Sequence, residues 1–355
     1  MKLLALTKYG RQAASTRQRL MQYEPYLAHD GVEVAYAPLF DDAYVHRLAK
    51  GHRKNFALIA LAYANRLRLL MARDDADLIW LHYEAFPFLP APFERLLAKR
   101  RRPVIVDYDD AIFHMYDDHT RSPVRRLLGG KLKTTIAQAS AVTVGNDYLR
   151  EYAIAHNQNV HVLPTVVDTA LYRPADTRVP GPLVVGWIGS PSTWRYVEPI
   201  LPTLLPQLRA SGVLFRAVGA GPAAARWADV EALEWSEASE IAAVQSMDIG
   251  IMPLPDERWA RGKCGYKLIQ YMACGLPVVA SPVGVNSQIV REGINGFLAS
   301  DVDAWARVIR ELLDNADLRQ KFGAAGREIA EREYSLAVYG PKLAALVRGL
   351  CARRD

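Results

Sequence analysis

The sequence predicts an α/β protein built as two parallel-sheet domains, and three observations carry that prediction. Short apolar runs alternate with amphipathic stretches throughout the first half, as strand–helix–strand units do when their strands are buried on both faces. A polar, Pro-bearing stretch ending at Pro182 is followed by a fresh apolar opening, Leu183-Val184-Val185-Gly186-Trp187-Ile188-Gly189. The length of 355 residues also exceeds what one core usually organises.

In chain order, strands are expected at Leu3 to Thr7, Val32 to Ala37, Leu78 to His82, Val104 to Asp107, Ala141 to Val144 and Val160 to Leu163. Helices are expected between them at Arg17 to Ala28, Arg53 to Met71, Phe88 to Lys99, Val124 to Ala139 and Asp147 to Ala155. Alternation of this kind implies right-handed crossovers. In the second half, strands are expected at Leu214 to Ala217, Ile249 to Leu254 and from Val278. Helices follow at Ser239 to Met247, Val302 to Asn315 and Leu318 to Arg332, with a last one from Tyr334-Ser335 to Arg353. The predicted domains are 1–170, 171–333 and a terminal helix, 334–355.

The densest stretch is Gly262 to Leu298. Gly265 lies in a Gly-bounded loop before a helix whose Leu268, Ile269, Met272 and Ala273 make one apolar stripe. Lys263, Lys267 and Gln270, at i, i+4 and i+7, share the opposite face. Cations near a helix start, where backbone N–H groups lie unpaired, suit a phosphate; a solvated polar face is the alternative. A second helix start, Ser281 to Ser287, follows the Val278 strand. Two such starts at the carboxyl ends of neighbouring strands make a nucleotide crevice.

In the first half, Asp107-Tyr108-Asp109-Asp110 ends a strand, where α/β active sites open. Mutual repulsion is expected to raise at least one of these pKa values and make it a proton acceptor; helix capping is the alternative for Asp109 and Asp110. His82 ends the preceding strand as a second lining candidate, and Arg17 stands in a first helical turn where it meets an anion or water.

The run Tyr271-Met272-Ala273-Cys274-Gly275-Leu276-Pro277-Val278-Val279-Ala280-Ser281, with Gly284, Ile289-Val290 and Gly293-Ile294-Asn295-Gly296, resembles the donor-binding segment of retaining glycosyltransferases of family 4. Pro164 to Pro174 resembles that family's interdomain link, and Val218-Gly219-Ala220-Gly221-Pro222 its glycine turn. The resemblance implies the GT-B fold, two Rossmann-like domains facing a central cleft, with the terminal helix crossing back to the first. It places Ser190 and Arg195 where the family grips the donor pyrophosphate with Arg and Lys, and pairs Arg195 with Lys267 as a diphosphate clamp. The family usually has two glutamates where this chain has Gly262 and Gln270. Asp109 stands where many relatives have a His, making Asp109 and Asp110 the catalytic candidates, with Arg17 and His82 beside the acceptor.

The implied activity is transfer of a hexosyl group from a UDP- or GDP-sugar to a glycan or lipid-linked acceptor in cell-surface polysaccharide assembly. Neither metal nor cofactor is called for. A nucleotide-sugar-binding subunit without turnover, and a GT-B sugar-nucleotide epimerase, are the alternatives. Three cysteines without zinc-ligand spacing suggest neither a metal site nor a disulfide framework. Residues 1–170 hold 23 Lys and Arg against 18 Asp and Glu. With no nucleic-acid-binding motif, the basic stretches, Arg53 to Met71 among them, point to peripheral contact with an anionic membrane or to a solvated surface. No run approaches the ~20 apolar residues of a spanning helix, so a cytoplasmic protein is expected, at most peripheral at the inner face.

Overall fold

The computed structural model describes residues 1–49, 55–72, 75–97, 102–177 and 180–352. The chain divides into two compact units. The first comprises Met1–Thr165, Gly262–Cys264 and Tyr339–Asp355, and the second Val166–Arg261 and Gly265–Val338.

The first unit holds β1 (Lys2–Tyr9), β2 (Glu33–Phe40), β3 (Leu78–His82), β4 (Val104–Tyr108), β5 (Ala141–Val144) and β6 (Val160–Val162). They form one sheet in the order β2-β1-β3-β4-β5-β6, parallel throughout. β3, β4 and β5 are buried at every residue, which is why they read as unbroken apolar runs. The register pairs His82 with Asp107, so both lie at the carboxyl edge of the sheet.

The second unit holds β7 (Val184–Ile188), β8 (Leu214–Val218), β9 (Val230–Leu233), β10 (Ile249–Met252), β11 (Val278–Ala280) and β12 (Gly296–Leu298). Their order is β12-β11-β10-β7-β8-β9, again all parallel. Successive strand residues enter opposite cores. Val184, Ile188 and Val278 pack with Leu268, Tyr271 and Met272, whereas Val185, Trp187 and Val279 pack with Trp194, Leu204 and Trp305. Helices therefore cover both faces of a doubly wound sheet.

Several predicted helices are shorter or broken. Arg17 to Ala28 is two helices, Ala14–Arg19 and Glu24–His29, because Pro25 has no N–H for a continuing ladder and instead opens a new first turn. Val124 to Ala139 breaks at Gly129-Gly130 into Ser122–Leu128 and Lys131–Gln138. Among the described residues of Phe88 to Lys99 only Ala91–Glu94 is α-helical, and Lys99 lies outside the described residues, as do Arg53 and Arg353. The helix expected from Arg53 is described as Phe56–Met71, with Asn55 Oδ1 accepting from Ala57 N and Leu58 N at its start. The helix Asp42–Ala49 and the short strands β9 and β12, of four and three residues, were not foreseen. Among the described residues, no helix is long and apolar enough to cross a membrane.

Candidate functional site

In the second unit, β7 runs into Gly189. A Cβ there would stand 2.8 Å from Lys267 Cε and 2.4 Å from the Trp187 ring, so glycine makes room for the lysine stem. Lys267 Nζ lies 5.6 Å from the Trp187 ring centroid, a cation–π contact at the carboxyl edge of the sheet. The glycine turn after β8 closes against the same backbone, since a Cβ on Gly219 (φ +74°) would meet Gly189 O at 2.4 Å.

Ser190 opens the helix Pro191–Trp194. Its amide donates to Thr193 Oγ1 at 3.3 Å, and its hydroxyl pairs with Ser192 Oγ at 3.0 Å. Arg195 follows, exposed, donating to Tyr196 OH at 3.1 Å with its guanidinium 5.0 Å over the Tyr196 ring. It lines a cavity of about 460 Å³ with Tyr196, Pro253, Glu257, Ser281, Asp301 and Trp305 among others. Pro253 and Ser281 come directly after β10 and β11, and Asp301 three residues after β12. The cavity thus opens along the carboxyl ends of three neighbouring strands, where doubly wound sheets bind ligands. Lys267 and Ser190 are not in its lining, so the two cations of the expected clamp share an edge of the sheet but not this cavity.

Two of the predicted donor residues need correction. Gly265 is left-handed (φ +67°) and the helix begins only at Tyr266, so the periodicity counted from Lys263 ran through a break. Lys263 belongs to the first unit, with its Nζ 2.9 Å from Asp110 Oδ1. Gln270 is buried rather than on an open polar face. Its Nε2 donates to Glu240 Oε1 at 2.7 Å and to Tyr172 OH at 3.2 Å, while Trp235 Nε1 donates to Glu240 Oε2 at 2.6 Å. Gly265 itself is required, because a Cβ there would lie 2.2 Å from Ile289 Cδ1.

In the first unit the three carboxylates have separate employments. Asp107 is fully buried and takes Arg19 through two bonds, Nε at 2.9 Å and Nη2 at 2.6 Å, with Thr143 Oγ1 at 2.6 Å. Asp109 pairs with His82 Nε2 at 3.2 Å and accepts from Tyr83 OH. Burial by itself would raise the Asp109 pKa. The His82 bond and charge, then Arg19 and the Tyr83 hydroxyl, outweigh it and hold the carboxyl down at about 2. Asp109 is therefore not a carboxylate whose pKa crowding raises. Asp110 is the partner of Lys263.

The segment Gly262–Cys264 is seated on these loops. Asn146 Nδ2 donates to Gly262 O at 3.0 Å and to Lys263 O at 2.9 Å, and Cys264 Sγ donates to Asp109 O at 3.0 Å. Burial, with Asp109 nearby, pushes the Cys264 thiol up, so it stays protonated. Arg17 does not face open water: it is buried, and its Nη1 donates to Arg11 O at 2.8 Å and Gln12 O at 3.0 Å, tying down the loop after β1.

Sequence reasoning missed Tyr83, Asn146 and Glu240. Asn146 had a visible signal, a cap residue directly before the Asp147 helix. Tyr83 and Glu240 had none.

Two all-parallel six-stranded sheets, each with its polar loops at the carboxyl edge, define the GT-B class of glycosyltransferase fold. Solved structures agree. Sucrose-phosphate synthase from Thermosynechococcus elongatus superposes with a TM-score of 0.74 at 15% identity, covering 99% of this chain and 100% of that one. HepE from Anabaena, in complex with UDP-glucose, gives 0.71 at 18% identity, covering 98% and 99%. The model described as "Glycosyltransferase Family 4" matches residues 22–171 and that of "Glycosyl transferases group 1" residues 182–315. The chain belongs to the family 4 glycosyltransferases. Among curated relatives, D-inositol 3-phosphate glycosyltransferase of Streptomyces scabiei is 29% identical over 255 residues, 61% of this chain and 55% of that protein. The chain thus matches only about half of that relative's length.

Proposed function

We propose that this protein transfers a hexosyl group, with retention and without a metal, from a nucleoside diphosphate sugar to a glycan or lipid-linked acceptor in the assembly of cell-surface polysaccharide. The observation that carries the reading is Arg195 in a cavity at the carboxyl ends of β10, β11 and β12. Transfer from a nucleotide sugar requires stabilisation of the departing diphosphate, and an arginine fork at that edge suits it. Lys267, beside Gly189 at the end of β7, adds a second cation. The UDP-glucose complex of the structurally similar HepE supports a UDP-sugar as the first donor to try. Asp109, held anionic, is assigned to the acceptor as a fixed hydrogen-bond acceptor, and Asp110 to the placing of Lys263. The basic first unit suits peripheral attachment at the inner face of a membrane.

Calorimetric titration with UDP and GDP tests the donor assignment. Arg195→Ala and Lys267→Ala are each expected to weaken binding strongly; unchanged affinity in both rejects it. A second reading, a nucleotide-sugar-binding subunit without turnover, is favoured by Gly262, where the family usually carries glutamate. A Cβ at that position would stand 2.4 Å from Ala111 Cβ. That reading predicts nucleotide binding with no product from any extracted lipid-linked acceptor, whereas an epimerase would convert the donor alone.

A further inference from the structure

The helix Phe56–Met71 is built from FALIALAYANRLRLLM, yet of these residues only Arg66 and Leu70 are buried. Phe56 is 81% exposed, Met71 71% and Leu61 56%. An apolar helix left this open wants something apolar to cover it. Leu58, Leu61 and Leu69 fall at i, i+3 and i+11 on one side of the helix and form a wall of a groove of about 500 Å³. Phe40 and Tyr44, stacked with ring centroids 4.4 Å apart, stand opposite.

The groove is not simply greasy. Arg66 lines it at 3% exposure. Its Nη2 donates to Thr7 O at 2.8 Å and Ala37 O at 2.7 Å, but its Nη1 is buried with no hydrogen-bond partner among the described residues. A buried guanidinium N–H left unmatched is costly, and burial already draws this arginine's pKa down to about 10 against the pull of Glu94. Arg47, exposed, stands at the rim. Arg47 and Arg66 line the groove against one acid, Asp41, so the charge of its lining favours an anion.

We propose that this groove seats a lipid phosphate, its hydrocarbon chain along Leu58, Leu61 and Leu69 and its phosphate oxygens meeting Arg66 Nη1 and Arg47. An apolar wall with an unmatched cationic donor set into it matches an anionic amphiphile and neither half alone. The proposal deepens the lipid-linked-acceptor reading and rests on it for the ligand's role, whereas its binding chemistry is tested without transfer.

The test is titration of the full chain with dodecyl phosphate below its micelle concentration, followed by methyl NMR of the leucines and by calorimetry, with dodecyl maltoside and inorganic phosphate as separate arms. Dodecyl phosphate is expected to bind and to shift leucine methyls. The maltoside should bind about tenfold more weakly or worse, and inorganic phosphate should not displace the lipid. Leu61→Glu, at an exposed position that should leave folding intact, and Arg47→Gln are each expected to weaken dodecyl phosphate by about tenfold. Failure of dodecyl phosphate to bind, equal affinity for the maltoside, or unchanged affinity in Leu61→Glu overturns the proposal. Phosphatidylglycerol vesicles separate a seated chain from adsorption, since Leu61→Glu should still bind vesicles while losing dodecyl phosphate. If instead nucleotide titration fails while dodecyl phosphate binds, the donor assignment falls and the groove stands.

Discussion

A Cβ on residue 262 would stand 2.4 Å from the Cβ of Ala111 and 2.8 Å from its amide nitrogen. Glycine at this position is thus enforced by packing within the first unit, and the backbone of Gly262–Cys264 lies against the loop that follows β4. Gly262→Ala should push the segment off its seat at a cost of about 1–3 kcal/mol, as overpacking usually does, and Gly262→Glu more. The local reporter is Cys264, buried with its thiol on Asp109 O at 3.0 Å. In a Cys351→Ser background, an aromatic disulfide reagent should label Cys264 far faster in the alanine variant than with glycine in place. Equal labelling rates would mean that the segment is not seated as described.

Asp109 should make stability depend on acid. Its folded pKa of about 2 lies below the unfolded value of about 3.9. Its contribution is therefore fully present above about pH 4 and is lost as pH falls through about 2. The shift corresponds to about 2 kcal/mol. Asp109→Asn should lower stability near neutral pH by an amount of that order, and the gap from the parent protein should close towards pH 2. Guanidinium melts at a series of pH values measure it. A gap that stays constant across the series would show that the His82 and Tyr83 contacts do not hold the carboxylate ionised.

How much was legible follows from where each partner lies in the sequence. The strands were plain because parallel strands covered on both faces become continuous apolar runs, as at Leu78–His82 and Ala141–Val144. The carboxyl-edge positions of His82 and Asp109 follow from strand ends, which sequence also marks. What failed was whatever depends on a distant neighbour or a single left-handed residue. Gln270 looked solvent-facing because Glu240, its buried acceptor, comes from another helix. Lys263 looked helical because nothing in the pattern reveals that Gly265 adopts φ +67°. The carboxylates looked mutually repelling because Arg19, His82 and Lys263, which separate their fates, come from elsewhere in the chain.

Arg19 and Asp107, both with side chains fully out of solvent, test how the first sheet tolerates buried charge. Removing one partner of such a pair strands the other and costs about 3–5 kcal/mol. Arg19→Met should lose that much in denaturant unfolding. Arg19→Met combined with Asp107→Asn should recover part of it, because the remaining group is then neutral and still meets Thr143. If the double variant is no more stable than the single one, the penalty comes from lost packing rather than from a stranded charge.

The loop after β3 supplies the last test. Tyr83 (φ +68°) and Phe88 (φ +59°) both hold left-handed backbone without being glycine, a geometry that costs a bulky residue about 1–2 kcal/mol. A buried network holds them there. Lys131 Nζ lies 2.6 Å from Glu84 and 3.2 Å from Glu94, and Glu94 takes the Ala85 and Phe86 amides at 3.0 Å each. Tyr116 OH donates to Glu84 at 2.8 Å while receiving the Phe88 amide at 3.0 Å. Ordinarily glycine is less stabilising than alanine, because it has more chain freedom to lose on folding. At position 88 the order should invert: Phe88→Gly should be more stable than Phe88→Ala by about 1 kcal/mol, since only glycine enters this region without a Cβ penalty. The comparison cancels the lost contact between the Phe88 and Tyr116 rings, which both variants forgo. Matched urea melts decide it, and an alanine variant as stable as the glycine one would mean that the loop relaxes out of its left-handed geometry in solution.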